Sequence, residues 1–182
     1  MTQDFLTAFR RLNGVVAILV GALLLVCAAF VLLDILLRQV GSSFGGTDEI
    51  SGYVMAIATS WGMAFALLEL GHVRIDLLRS RFTTKGRVLI DLGSMLVLNG
   101  TVTLIAVQCW PVVATSVANG STANTSLETP LALVQIPWLA GWMWFALMGW
   151  LTFVGAVLLV SQGRFDATEK AIGAFADQDA LL

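Results

Sequence analysis

Charge is what this sequence has least of. Asp, Glu, Lys and Arg make up 12% of its 182 residues, about half the roughly 25% of an ordinary soluble domain. No charged residue at all stands between Glu128 and Arg164. Histidine is nearly absent too. The single His72 excludes a haem held between two histidines of this chain and argues against a His-rich metal site. The two cysteines, Cys27 and Cys109, fall inside apolar stretches and read as small core hydrophobes, not as a disulfide framework. There is no Walker motif and no dinucleotide fingerprint. Acidic residues within the apolar stretches are Asp34, Glu69 and Asp91, all near the ends of those stretches. An ion-coupled carrier usually needs polar groups at the bilayer midplane, and inverted repeats often accompany them; neither is visible. Nothing calls for a cofactor, a metal or nucleic acid.

What the sequence does have is four apolar runs: 15–37, 50–70, 88–117 and 131–160. Each reaches the roughly 20 residues needed to cross hydrocarbon. The third and fourth exceed it and must tilt, kink or enter the interface. The predicted fold is an all-α integral membrane domain over 1–163, followed by a polar tail over 164–182 that is expected to be loosely ordered. Nine of the ten basic residues fall on one side of this arrangement, with Arg38 the exception. The excess of Lys and Arg in cytoplasmic loops places both termini in the cytoplasm. Arg10 and Arg11 precede the first run as they would in a secretion signal, but the run is too long for one, so it reads as a retained span.

Finer features refine the picture. Asp34 and Arg38 are one helical turn apart, acid first, and predict an ion pair near the outer interface. Such a pair either sets helix depth or belongs to a subunit contact. As a surface pair it is expected to contribute under about 1 kcal/mol. Thr47 or Asp48 is the expected N-cap of span two, and Asp48 and Glu49 suit its first turn. Ala58, Gly62 and Ala66 recur every four residues and predict a face for close helix approach, to this chain or to a partner. Over 73–82, Ile75, Leu78 and Phe82 alternate with Arg74, Asp76, Arg79 and Arg81. This pattern predicts a short amphipathic helix in the cytoplasmic interface, its arginines reaching phospholipid headgroups, with Lys85 close behind. Pro111 is expected to kink or end span three near the outer face. Pro137 is expected to open span four, and Trp138 and Trp142 to anchor it at the interface.

A family resemblance rests on the order of these motifs. Span one ends in Arg38; an outer loop leads to Asp48-Glu49-Ile50; span two closes with Gly71-His72-Val73-Arg74-Ile75-Asp76. Further on come Ser126-Leu127-Glu128-Thr129-Pro130 and Ile136-Pro137-Trp138. In this the chain resembles the small membrane subunit (DctQ type) of the tripartite ATP-independent periplasmic, or TRAP, transporters. The resemblance spans about 10–160. It implies a small subunit, not an enzyme, of a sodium-coupled importer of organic anions, commonly carboxylates. It implies two protein partners: a large membrane subunit, which carries solute and sodium, and a periplasmic substrate-binding protein. Arg38, Asp48, Glu49 and Glu128 become candidate contacts with those partners. Gly71, His72 and Asp76 become structural residues at the interface. Two other readings stay open: a self-sufficient small carrier or channel oligomer, and a membrane-embedded redox subunit.

Overall fold

A computed structural model describes residues 2–71 and 81–173. These residues form five helices in chain order: α1 (Thr2–Gln39), α2 (Thr47–Leu68), α3 (Thr84–Ala118), α4 (Leu131–Ser161) and α5 (Phe165–Ile172). The first four are long and apolar enough to cross a membrane. They correspond to the four expected spans, with α1 and α3 extending beyond the apolar runs. Most of the expected interfacial helix, including Arg74, Asp76 and Arg79, lies outside the described residues, as does His72. Arg81 and Phe82, at its end, are exposed.

The spans end by one rule. At the end of α1, Ser42 N–H donates to the Leu37 carbonyl and Gly41 N–H to that of Arg38; matching pairs close α2, α3 and α4. This is the Schellman arrangement, which satisfies the last carbonyls of a helix and requires a left-handed residue just beyond it. Gly41, Gly120 and Gly163 fill that position with positive φ; at the end of α2 it is Leu70, at φ 55°. A side chain there costs about 1 kcal/mol or more. Leu70→Gly is therefore expected to raise the melting temperature in detergent and Gly120→Leu to lower it. A fall for Leu70→Gly would mean that its side-chain contacts outweigh the backbone strain.

Starts are less regular. Gly46, at φ 65°, caps α2 without a side-chain hydrogen bond, so neither Thr47 nor Asp48 is the cap. Thr47 is instead buried in the first turn. Pro130 caps α4, and Pro137 lies inside the helix. The Pro137 carbonyl accepts the Trp61 indole N–H at 2.9 Å, tying α2 to α4. Pro111 does not end α3, which continues to Ala118.

The spans pack in the order α1–α2–α4–α3, with no other pair of spans in extended contact among the described residues. This is a row, not a four-cornered bundle, so α1 and α3 are edges. The most apolar window of α1 is only 6% buried, against 22–28% for the others. Lipid gives apolar side chains little reason to leave it, so helices in a membrane join through close packing and polar contacts. Both are present here. A Cβ on Gly141 would overlap Ser60 and the Trp61 ring, and one on Gly149 would overlap the Asn99 amide. Asn99 Nδ2 donates to the Gly149 carbonyl at 3.0 Å, tying α3 to α4. The Trp144 indole N–H donates to Asn13 Oδ1 at 3.2 Å, reaching from α4 to α1. Of the predicted face on α2, Ala58 is buried, but Gly62 faces open space. The residues that meet α4 include Ser60, Trp61 and Leu67, with Ala64 in the same core cluster as Leu67, all off that stripe.

The stretch expected as a loose tail begins with a helix. α5 packs on α3 and α4, and its Ile172 joins Met95, Val102, Phe145 and Met148 in the main core cluster. Trp138 and Trp142 are half-buried and pack against Cys109, Val113 and Leu139, so they join α4 to α3 besides any role at the interface.

Candidate functional site

Asp34, Arg38, Asp48, Glu49 and Glu128 gather at one end of the row, where the α1–α2 and α3–α4 loops lie. Two carboxylates organise it. Asp34, in the last two turns of α1, is 1% exposed. Its Oδ2 accepts Arg38 Nε at 2.8 Å and pairs with a second guanidinium nitrogen at 2.7 Å. Its Oδ1 accepts the Ser43 hydroxyl and the Phe44 backbone N–H, both at 2.8 Å. The buried Thr47 hydroxyl stands beside the same carboxylate without forming a hydrogen bond. The expected ion pair is present, but it is not a surface pair. One carboxylate fixes the start of the loop, and the Phe30–Phe44 ring stack at 5.3 Å closes the loop against α1.

Glu49 does the equivalent for the second loop. In the first turn of α2, its Oε1 accepts the Tyr53 hydroxyl at 2.6 Å. Its Oε2 is buried without a hydrogen bond, next to Thr125 and Thr129 of the α3–α4 loop. That loop is closed on itself: Leu131 N–H donates to the Ser121 carbonyl and Ala123 N–H to that of Thr129, both at 2.9 Å. Leu127 covers Gly46 so closely that a Cβ there would collide with it. The α3–α4 loop is thereby seated on the N-terminus of α2.

The candidate contact residues thus divide. Glu49 is turned inward and braces the loop. Arg38 is 53% exposed at its side chain while bonded to Asp34. Asp48 and Glu128 are exposed, and Glu128 takes a positive φ of 47° at the loop's turn. Gly41-Ser42-Ser43-Phe44-Gly45 spells a Gly-x-Ser-x-Gly pattern. Here it joins two helices, and Ser43 is spent on Asp34, so it lacks the strand-to-helix elbow that presents a nucleophile. Among the described residues no group of three His, Cys, Asp or Glu side chains could hold a metal. Asn13, Ser60 and Asn99, which tie or line the row, carry little sequence signal beyond being polar within apolar runs.

A row of four long apolar helices, with its buried polar groups spent on loops and helix joints, defines a multi-pass α-helical membrane protein. The family model for the DctQ component of tripartite ATP-independent periplasmic transporters matches residues 27–149, from the middle of α1 well into α4. The chain belongs to this family: it is the small component of a TRAP transporter, a transporter part and not a member of an enzyme family. DctQ components function with a large DctM subunit and a periplasmic binding protein. No curated protein and no solved structure matches the chain.

Proposed function

We propose that this chain is the fixed scaffold of a sodium-coupled importer of organic anions, seated in the bacterial inner membrane with both termini in the cytoplasm. In this reading the large subunit carries solute and sodium, and this chain widens and anchors the frame against which that subunit works. The loop end faces the periplasm and offers Asp48, Glu128 and the outer side of Arg38 to the binding protein. The basic end faces the cytoplasm, where Arg74, Arg79, Arg81 and Lys85 meet phospholipid.

The observation that carries the reading is the open row. Exposed apolar residues alone say little in a membrane, since lipid covers them at no cost. Unfilled close-approach positions say more. Gly14 and Gly21 on α1, Gly52 and Gly62 on α2, and Gly93 and Gly100 on α3 have nothing within 4 Å of where a Cβ would stand. Small residues at such positions let a further helix come close. The row leaves room for a partner along its faces and has few polar groups with which to form a pathway of its own.

Purification in mild detergent is expected to recover a much larger polytopic partner with this chain. If the chain runs alone, and uptake survives its deletion, the reading fails. Solute flux through the chain reconstituted by itself would establish the self-sufficient carrier instead. Glu49→Ala is expected to lower uptake or recovery of the large subunit, because the α3–α4 loop loses its brace, while Glu49→Gln retains more of both. Unchanged uptake and recovery for Glu49→Ala would remove Glu49 from the docking end.

A further inference from the structure

The opposite end of the row contains an open cavity whose wall includes Lys85, one of the residues placed against phospholipid above. It measures about 420 Å³ and is lined by Thr84, Lys85, Gly163, Arg164, Phe165, Asp166 and Ala167. We propose that this cavity binds the headgroup of one phospholipid, and that the headgroup is a zwitterionic phosphoethanolamine.

Depth is the first argument. The apolar run of α4 ends at Val160 and that of α3 begins at Val88. Lys85 lies three residues before Val88 on α3, about 4.5 Å at the helical rise, and Arg164 directly follows the turn that ends α4 at Ser161. That depth is inside the headgroup layer, which adds roughly 5–7 Å to each side of the hydrocarbon.

Charge is the second. Lys85 and Arg164 both border the cavity, and neither forms a salt bridge with a described residue. The Lys85 ammonium lies 5.5 Å from the centre of the Phe165 ring, which holds it at the wall of the cavity. The remaining wall is built largely from the first turns of α3 and α5. Thr83 caps α3 without a side-chain hydrogen bond, and no acidic residue occupies that helix's first turn. Its leading N–H groups add to the positive field that the two side chains create.

Asp166 decides the kind of headgroup. A site for a purely anionic group would gain nothing from a carboxylate in the same wall. Phosphoethanolamine uses both signs: its phosphate goes to Lys85 and Arg164, and its primary ammonium, a three-way hydrogen-bond donor, goes to Asp166. Phosphocholine presents no N–H, and phosphoglycerol presents no cation. Arg164 and Asp166 lie beyond the stretch matched by the family model, whereas Thr84 and Lys85 lie within it. The site stands whether or not the scaffold reading holds.

The test is native mass spectrometry on the full chain, with any co-purifying partner, delipidated and then offered equal amounts of phosphatidylethanolamine, phosphatidylglycerol and phosphatidylcholine. Phosphatidylethanolamine is expected to dominate the bound fraction. Lys85→Gln with Arg164→Gln should weaken its binding by about a hundredfold, the scale of losing two hydrogen bonds to a charged group at about tenfold each. The conservative pair Lys85→Arg with Arg164→Lys should restore it, and Arg11→Gln, on the same end of α1, should leave it unchanged. Asp166→Asn should erase the preference over phosphatidylglycerol while leaving phospholipid bound. Wild-type binding by the Gln pair, equal binding of the three lipids by the unaltered chain, or displacement of the lipid by millimolar inorganic phosphate would each overturn the proposal.

Discussion

Asp34→Ala is expected to destabilise the protein by about 3 kcal/mol, toward the low end of what breaking a buried charge network costs. Three groups lose their acceptor at once: the Arg38 guanidinium, the Ser43 hydroxyl and the Phe44 N–H. Only the guanidinium has ready access to water, being about half exposed. Asp34→Asn should cost less, about 1–2 kcal/mol, because an amide oxygen can still serve Ser43 and Phe44 while the amide nitrogen opposes Arg38. Arg38→Ala should cost least, about 1 kcal/mol or under, since it removes only the solvated partner. Denaturant unfolding in detergent, monitored by circular dichroism, gives the three values. A ranking with Asp34→Ala most costly, Asp34→Asn next and Arg38→Ala least identifies the carboxylate as the organiser of the α1–α2 loop. Equal costs for Asp34→Ala and Arg38→Ala would reduce Asp34 to one half of a simple ion pair, which is how its spacing alone reads.

That contrast shows what the sequence makes legible here. The four spans follow from length and missing charge, because hydrocarbon imposes both on any helix that crosses it. Their ends follow almost as well from Gly41, Gly120 and Gly163, since a helix that stops in a Schellman turn needs a left-handed residue. Only α2 hides its stop, at Leu70 in place of the neighbouring Gly71. The pairing of Asp34 with Arg38 is written in their spacing, but its burial is not. Burial depends on a loop ten residues later folding back onto the carboxylate.

The order of the row is hidden for a different reason. In water the buried face of a helix announces itself by apolar periodicity. In lipid the face toward another helix and the face toward acyl chains are both apolar, so periodicity no longer separates them. What separates them is small size and polarity, and those signals are sparse. The stripe Ala58, Gly62 and Ala66 looks like a packing face by spacing, yet Ser60, Trp61 and Leu67, off that stripe, are among the residues that meet α4. The helix α5 had a usable signal: Phe165, Thr168 and Ile172 are three and four residues apart, and the last two are fully buried. Its polar composition masked that pattern.

The joint between α3 and α4 offers the sharpest measurement of how this row is held. Gly149 and Asn99 fit each other twice over. The Asn99 amide nitrogen donates to the Gly149 carbonyl, and its oxygen occupies the space a Cβ on residue 149 would need. Gly149→Ala is therefore expected to cost about 1–3 kcal/mol, since a single added methyl must push the two helices apart or turn the amide away. Asn99→Ala alone should cost about 0.6–2 kcal/mol, the range for interhelical polar contacts in membranes. Combined, the two changes should cost less than their sum, by about 1 kcal/mol or more, because truncating Asn99 vacates the space that the methyl at position 149 enters. Unfolding of the two single variants and the double variant under one set of detergent conditions completes the cycle. Simple additivity would mean that the two residues are not coupled, and that α3 is held to α4 by its other contacts: the Phe145–Met148 cluster, the Cys109–Leu139 cluster and the Trp150–Thr103 hydrogen bond. A favourable coupling would establish the close approach of the two backbones as the joint that fixes α3 at the edge of the row, leaving its outer surface free for a larger partner.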